Sequence, residues 1–171
     1  MPGTFYDQAA AALPNFPREV IDLWFWHAEP AGWPPAVTPQ GYPTAIWGNV
    51  LGRARAFSFW TSVSWTLGRI QLTPGLLEPE TGSFVTAAAN GFLAGLPPIP
   101  NLTTRDYGRR IANNVVALQR LSHLARRPVL LSTSAGLEVL DGTHRIAALF
   151  VAQSLRIRLD PLHEVWIANA T

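Results

Sequence analysis

The chain has 171 residues, of which 48% are hydrophobic and 14% charged, and this balance excludes a protein that is disordered along its whole length. It contains no cysteine, which excludes disulfides, a thiolate nucleophile and a cysteine-bound metal. The formal net charge is +2, and because every basic residue is an arginine, a lysine-dependent P-loop is excluded.

The distribution of charged and apolar residues bears on partners and location. The arginines are dispersed, except for the pairs Arg109-Arg110 and Arg126-Arg127, whereas a nucleic-acid groove needs a denser basic stripe. No apolar run approaches the ~18 residues of a membrane span, and the first residues do not have the pattern of a signal peptide. We therefore expect a cytoplasmic protein, and we expect neither a membrane nor a nucleic acid as its partner.

The first 65 residues carry six of the seven tryptophans, together with many prolines and alanines. Pro17 followed by "REVIDLWFWHAE" predicts a helix over 18–29, with the proline in its first turn. Five prolines and two glycines predict a loop over 29–43. A second helix is predicted from about residue 45 to 60, although its "GRARAFSFW" part also fits a strand. We therefore expect a mainly helical, Trp-rich extension over 1–64.

The rest of the chain reads as alternating helices and strands. The predicted elements are, in order, strand 68–73, helix 83–95, helix 103–127, strand 128–132, strand 137–140, helix 143–153 and strands near 155–159 and 164–168. Thr81 or Ser83 is the expected cap of the first of these helices, and the prolines of 96–101 are expected to end it. The pattern predicts an α+β (mixed α/β) domain over 65–171, with a small mixed sheet and packed helices.

The stretch "LEVLDGTHRIAAL", residues 137–149, joins a predicted strand to a predicted helix through a glycine. Glycine lets the backbone approach a ligand closely, and the unpaired amides of a helix's first turn favour an anion, phosphate above all. Arg145 can fork onto phosphate oxygens, and His144 can donate a hydrogen bond or move a proton near neutral pH. Asp141 would repel a phosphate unless Mg²⁺, a substrate amine or Arg145 intervenes. In the purely structural alternative, Asp141 and Thr143 are helix caps and the other two side chains are solvated.

The segment 128–160 resembles the core of the ParB/sulfiredoxin-like fold, in which a hairpin leads through a short glycine-containing motif into a helix and a further strand. Sulfiredoxins carry a Gly-Gly-Cys-His-Arg motif at this point, and ParB proteins a Gly-Glu-Arg-Arg type. The free-serine-kinase branch carries an Asp-Gly-x-His-Arg type, which Asp141-Gly142-Thr143-His144-Arg145 matches best. The resemblance extends more loosely over Trp65–Ala168 and is absent before it.

The resemblance implies a nucleotide-binding domain. The residues that would contact the phosphates of ATP or ADP are Gly142, Thr143, His144 and Arg145. Asp141 would help to hold Mg²⁺. Because Thr143 stands where sulfiredoxins have their catalytic cysteine, repair of sulfinic acids is not expected. The kinase branch places a general-base carboxylate near the end of its first strand, where this chain has Glu78 and Glu80, which are otherwise read as exposed loop acids.

These inferences predict a nucleotide-dependent, kinase-like phosphotransferase that acts on a small-molecule hydroxyl. Its expected catalytic residues are Asp141, His144, Arg145, Glu78 and Glu80. One alternative is a non-catalytic nucleotide- or anion-binding module whose Trp-rich extension docks a protein partner, and a fainter one is a phosphoester hydrolase. The aromatic cluster of the extension would form a core, a ligand wall or the interface of a homodimer.

Overall fold

The computed structural model describes residues 3–95 and 104–170. The chain forms two compact units, one of residues Met1–Thr66 with Ile167–Thr171 and one of residues Leu67–Trp166. The described residues contain seven α-helices and one four-stranded sheet, which confirms the predicted α+β class with a small sheet. Among these residues, no helix combines the length and the apolar character needed to span a membrane.

The elements follow one another in a mixed order. The α-helices are α1 (Phe5–Ala12), α2 (Arg18–Trp24), α3 (Ala45–Val50), α4 (Phe57–Ser62), α5 (Pro79–Leu93), α6 (Thr104–Leu121) and α7 (Thr143–Ser154). Two 3₁₀ helices span Phe25–Ala31 and Pro74–Leu76. The strands are β1 (Ser64–Ile70), β2 (Val129–Thr133), β3 (Gly136–Asp141) and β4 (His163–Asn169). Their order in the sheet is β1-β4-β2-β3, and β2 and β3 pair in antiparallel.

Tryptophan side chains build the core of the first unit. Trp24, Trp47 and Trp60 are each at most 1% exposed. The rings of Trp24 and Trp60 meet edge to face with centroids 5.0 Å apart, and Phe25 meets Trp47 in the same way at 5.3 Å. Burial of such large rings is the main apolar stabilisation available to short helices. Most of the aromatic cluster is thereby enclosed as core.

Two helix predictions for the first unit are wrong in part. The helix predicted over 18–29 is α-helical only to Trp24 and continues as a 3₁₀ helix that contains Pro30. The helix predicted over 45–60 is split into α3 and α4, because the chain turns between them at Gly52, whose φ of 81° is left-handed. The "FSFW" part of the ambiguous segment is helical.

The second unit is organised around α7. All residues of this helix from Ile146 to Ala152 are buried, with exposures of at most 5%, and it packs against both α5 and α6. The neighbouring hairpin pairs Leu130 with Val139 and Thr133 with Gly136. The strands predicted over 128–132 and 137–140 and the helix predicted over 143–153 are therefore confirmed to within one residue at nearly every end.

Several predicted boundaries in the second unit are wrong. Strand β1 begins four residues before the predicted 68, and α5 begins at Pro79 instead of near residue 83. Helix α6 ends at Leu121, six residues early, because Ser122 adopts a positive φ of 61°. The segment 155–159 does not form a strand. The predicted break over 96–101 and the predicted helix start at 103 lie outside the described residues.

Candidate functional site

The candidate site is the junction between β3 and α7, residues 141–145, which we call the α7 start. Asp141 ends the strand, Gly142 turns the chain with a left-handed φ of 102°, and Thr143 begins the helix. A Cβ atom on Gly142 would lie 3.1 Å from Pro128 Cβ and 3.2 Å from Arg145 Nε. Both the backbone angle and the close packing therefore require glycine here.

The N-cap residue of α7 is Gly142, which has no side chain with which to cap the helix. The amides of Arg145 and Ile146 donate to the Gly142 carbonyl, at 2.9 and 3.0 Å, and these are the first turn's own hydrogen bonds. In any helix the amides that precede these bonds have no acceptor within the helix, and here they belong to Thr143 and His144. The helix dipole adds partial positive charge at the same place, so this end favours an anion.

Arg145 and Asp141 form an ion pair one turn apart. The Arg145 guanidinium donates from Nη2 to the Asp141 carboxylate, and its Nη1 lies 3.4 Å from the Arg127 carbonyl oxygen. Each side chain of the pair is only 13% exposed. The pair balances the aspartate charge that would otherwise oppose an anion, and it places the arginine away from the solvated face that the purely structural reading expects.

His144 packs against a tyrosine that the sequence analysis did not single out. The rings of His144 and Tyr107 lie 4.2 Å apart, and Tyr107 meets Phe84 edge to face at 6.3 Å. Tyr107 is 5% exposed, and within the described residues its hydroxyl has no hydrogen-bond partner. Burial raises its pKa to about 12, so the phenol stays protonated. The feature of the sequence that could have indicated Tyr107 is its helical spacing, which places it on the same buried stripe of α6 as Ile111 and Val115.

Glu78 serves as the N-cap of α5. Its carboxylate accepts hydrogen bonds from the amides of Glu80 at 3.2 Å and Thr81 at 3.0 Å, and these bonds lower its pKa. The expected caps, Thr81 and Ser83, lie inside the helix, so that prediction is wrong. Glu80 is exposed.

The two glutamates belong to a different part of the hairpin from Asp141. The Glu78 amide donates to the carbonyl of Leu137 at 2.9 Å, which fixes it beside the first half of β3. Leu137 precedes Asp141 by four residues, about 13 Å along an extended strand. The geometry therefore brings together Asp141, Gly142 and Arg145, while the His144 ring packs against Tyr107. Glu78 and Glu80 take no part in the described contacts of that cluster.

The described residues contain no group of three or more acidic, histidine or cysteine side chains that could hold a metal ion by themselves. A nucleotide-bound Mg²⁺ makes a smaller demand, because phosphate oxygens and water supply most of its ligands and one carboxylate suffices. Asp141 meets that demand at the α7 start, where it would bind the ion in exchange for part of its pairing with Arg145.

No protein-family model, no curated protein and no solved structure matches this chain. The resemblance to the ParB/sulfiredoxin-like fold therefore stays a prediction.

Proposed function

We propose that this chain is a nucleotide-dependent phosphotransferase that holds the phosphates of ATP or ADP at the α7 start and phosphorylates a small-molecule hydroxyl. The observation that carries the proposal is the left-handed Gly142, which begins the helix without a Cβ atom and directly beside a partly buried arginine. A helix N-terminus, a close backbone approach and a guanidinium are three features that phosphate recognition commonly uses.

Each residue of the α7 start has a part in binding. The amides of Thr143 and His144 would donate to phosphate oxygens, and the absence of a Cβ on Gly142 would let those oxygens come close. Arg145 would contribute its remaining N–H groups while Asp141 holds its orientation. The His144 imidazole, supported by the Tyr107 ring, would donate to the transferring group.

The transfer step follows ordinary phosphoryl chemistry. The acceptor hydroxyl oxygen forms a bond to the terminal phosphorus, and the bond from that phosphorus to the bridging oxygen breaks, leaving its electron pair on the nucleotide. The hydroxyl proton passes to a carboxylate, for which Glu78 and Glu80 are the proposed candidates. The acceptor would then have to extend from the phosphates to the first half of β3, where Glu78 is held. A bound Mg²⁺ would neutralise developing charge on the phosphate oxygens, with Asp141 as its protein ligand.

A second candidate is a non-catalytic nucleotide- or anion-binding module. It is favoured by the state of Glu78, whose carboxylate is held by two amides and has a lowered pKa, which makes it a weak base. The same α7 start would then bind a nucleotide without consuming it.

The test combines binding with turnover. We expect ATP with Mg²⁺, at about a hundred times its dissociation constant, to raise the melting temperature of the full chain by roughly 5–10 °C. Incubation with a pool of small hydroxyl compounds should then produce a new phosphate ester, detected by ³¹P NMR. Asp141→Asn should still bind ATP but lose turnover by about a hundredfold or more, because the carboxylate that orients Arg145 and the metal is gone.

Asp22→Asn is the matched control, since Asp22 forms an ion pair with Arg18 at the same helical spacing but on the exposed surface. If the wild type binds ATP but forms no phosphate ester, the result supports the non-catalytic binding module and contradicts the phosphotransferase. Full turnover by Asp141→Asn would remove the proposed chemistry, and the absence of any melting shift with ATP, ADP or pyrophosphate would contradict both candidates.

A further inference from the structure

Tyr107 carries a buried hydroxyl that no other described residue uses as a hydrogen-bond partner. Its side chain is 5% exposed, yet among the described residues nothing accepts or donates a hydrogen bond at its hydroxyl. Buried hydroxyls in native proteins are nearly always paired, because an unpaired one keeps the full cost of its desolvation. A phenylalanine would fill the same space in the apolar stripe of α6 without that cost. The hydroxyl therefore requires an explanation other than packing.

The position of Tyr107 indicates where its partner would be. The ring lies in the first turn of α6 and packs at 4.2 Å against His144, the second residue of α7. On its other side Phe84 of α5 holds it edge to face at 6.3 Å. Three helices thus fix the tyrosine next to the first turn of α7, whose leading amides have no acceptor within the helix.

Charge and protonation indicate what kind of partner it would be. Burial raises the pKa of Tyr107 to about 12, so at neutral pH the hydroxyl carries its proton and can donate. A neutral donor next to a helix N-terminus suits an anionic oxygen better than a second donor. A phosphate oxygen has this character.

We propose that the Tyr107 hydroxyl donates a hydrogen bond to a phosphate of the nucleotide bound at the α7 start, and that it is a ligand-binding residue of this site. The inference rests on the proposed function, since it names a further contact of the same phosphates. It is independent of whether the phosphoryl group is transferred.

The test is Tyr107→Phe, with pyrophosphate as the probe. Without ligand, the variant should melt at the same temperature as the wild type or higher, because an unsatisfied hydroxyl has been removed. With ligand, its dissociation constant for pyrophosphate, measured by calorimetry, should rise about tenfold or more, the usual loss for a hydrogen bond to a charged group. Tyr42→Phe is the matched control, because Tyr42 is 41% exposed and lies in the first unit.

A second measurement leaves Tyr107 intact. The chain has three tyrosines, so replacing Tyr6 and Tyr42 by phenylalanine makes Tyr107 the sole one, and its ¹³Cζ resonance should shift when pyrophosphate binds. Wild-type affinity in Tyr107→Phe, or a ¹³Cζ resonance that does not respond to bound pyrophosphate, would overturn this inference alone. A wild-type chain that binds neither pyrophosphate nor ATP would overturn the proposed function and this inference with it.

Discussion

At the scale of single residues, two features set the geometry of the α7 start: Gly142 turns the chain, and Asp141 holds the Arg145 guanidinium. A glycine between a β-branched run and a helical run indicates a left-handed junction, and Gly142 adopts one. The pairing of Arg145 with Asp141 depends on both side chains being partly buried, which spacing alone does not fix. Tyr107 gave no chemical signal in the sequence, because its importance arises only where three helices meet.

His163 predicts how stability depends on pH. It is 2% exposed, and burial lowers its pKa, opposed by the nearby Asp160 carboxylate and assisted by His123. The folded protein therefore keeps the imidazole neutral below its ordinary pKa of about 6.5, where the unfolded chain takes up a proton. Because the unfolded state then binds more protons, we expect the free energy of unfolding to fall as the pH is lowered from 7 to 5.

Urea denaturation at pH 7, 6 and 5 measures this slope, and the His163 ring resonances in NMR assign it. His163→Gln should remove this slope, because it removes the imidazole whose pKa burial lowers. A flat stability over this range, with His163 titrating at its ordinary pKa, is the contrary outcome.

At the scale of elements, periodicity and glycine–proline signals predicted those segments whose local and tertiary preferences agree. The continuous apolar run in α7 indicates a buried helix, and the hairpin before it has turn residues between two β-branched runs. The predicted strand over 155–159 was wrong, because contacts with the end of α7 override the local pattern. The run 155–159 alternates like a strand, but Ile157 donates to Ala152 and Arg156 takes a positive φ, so these residues close the end of α7.

The cap of α5 gives a test at this scale. Glu78→Ala removes the acceptor for two amides of the first turn, so we expect the melting temperature to fall by roughly 2–5 °C. Glu80→Ala, two residues on and exposed, should change it far less. The same two variants distinguish a capping role of Glu78 from a role as general base. If Glu78→Ala loses more phosphoryl transfer than its loss of stability explains, Glu78 is the base. Equal melting temperatures for the two variants would contradict its capping role.

At the scale of the whole molecule, the order of the predicted helices and strands was enough for the α+β class but not for the topology. The strand order β1-β4-β2-β3 joins segments that are distant in the sequence, and such pairings are decided by packing between layers. The enclosure of Trp24, Trp47 and Trp60 likewise follows from how short helices pack together. The α7 start does not depend on pairings between distant segments, because it is built from five consecutive residues.

Anion binding at the α7 start is tested most directly by a ¹H–¹⁵N NMR titration of the full chain with pyrophosphate. We expect the largest saturable shifts on the amides of Thr143 and His144, with Gly142 and the Arg145 side chain next, because these groups would surround the bound anion. Saturable shifts elsewhere with residues 141–145 unchanged, or no shifts at all, would contradict it.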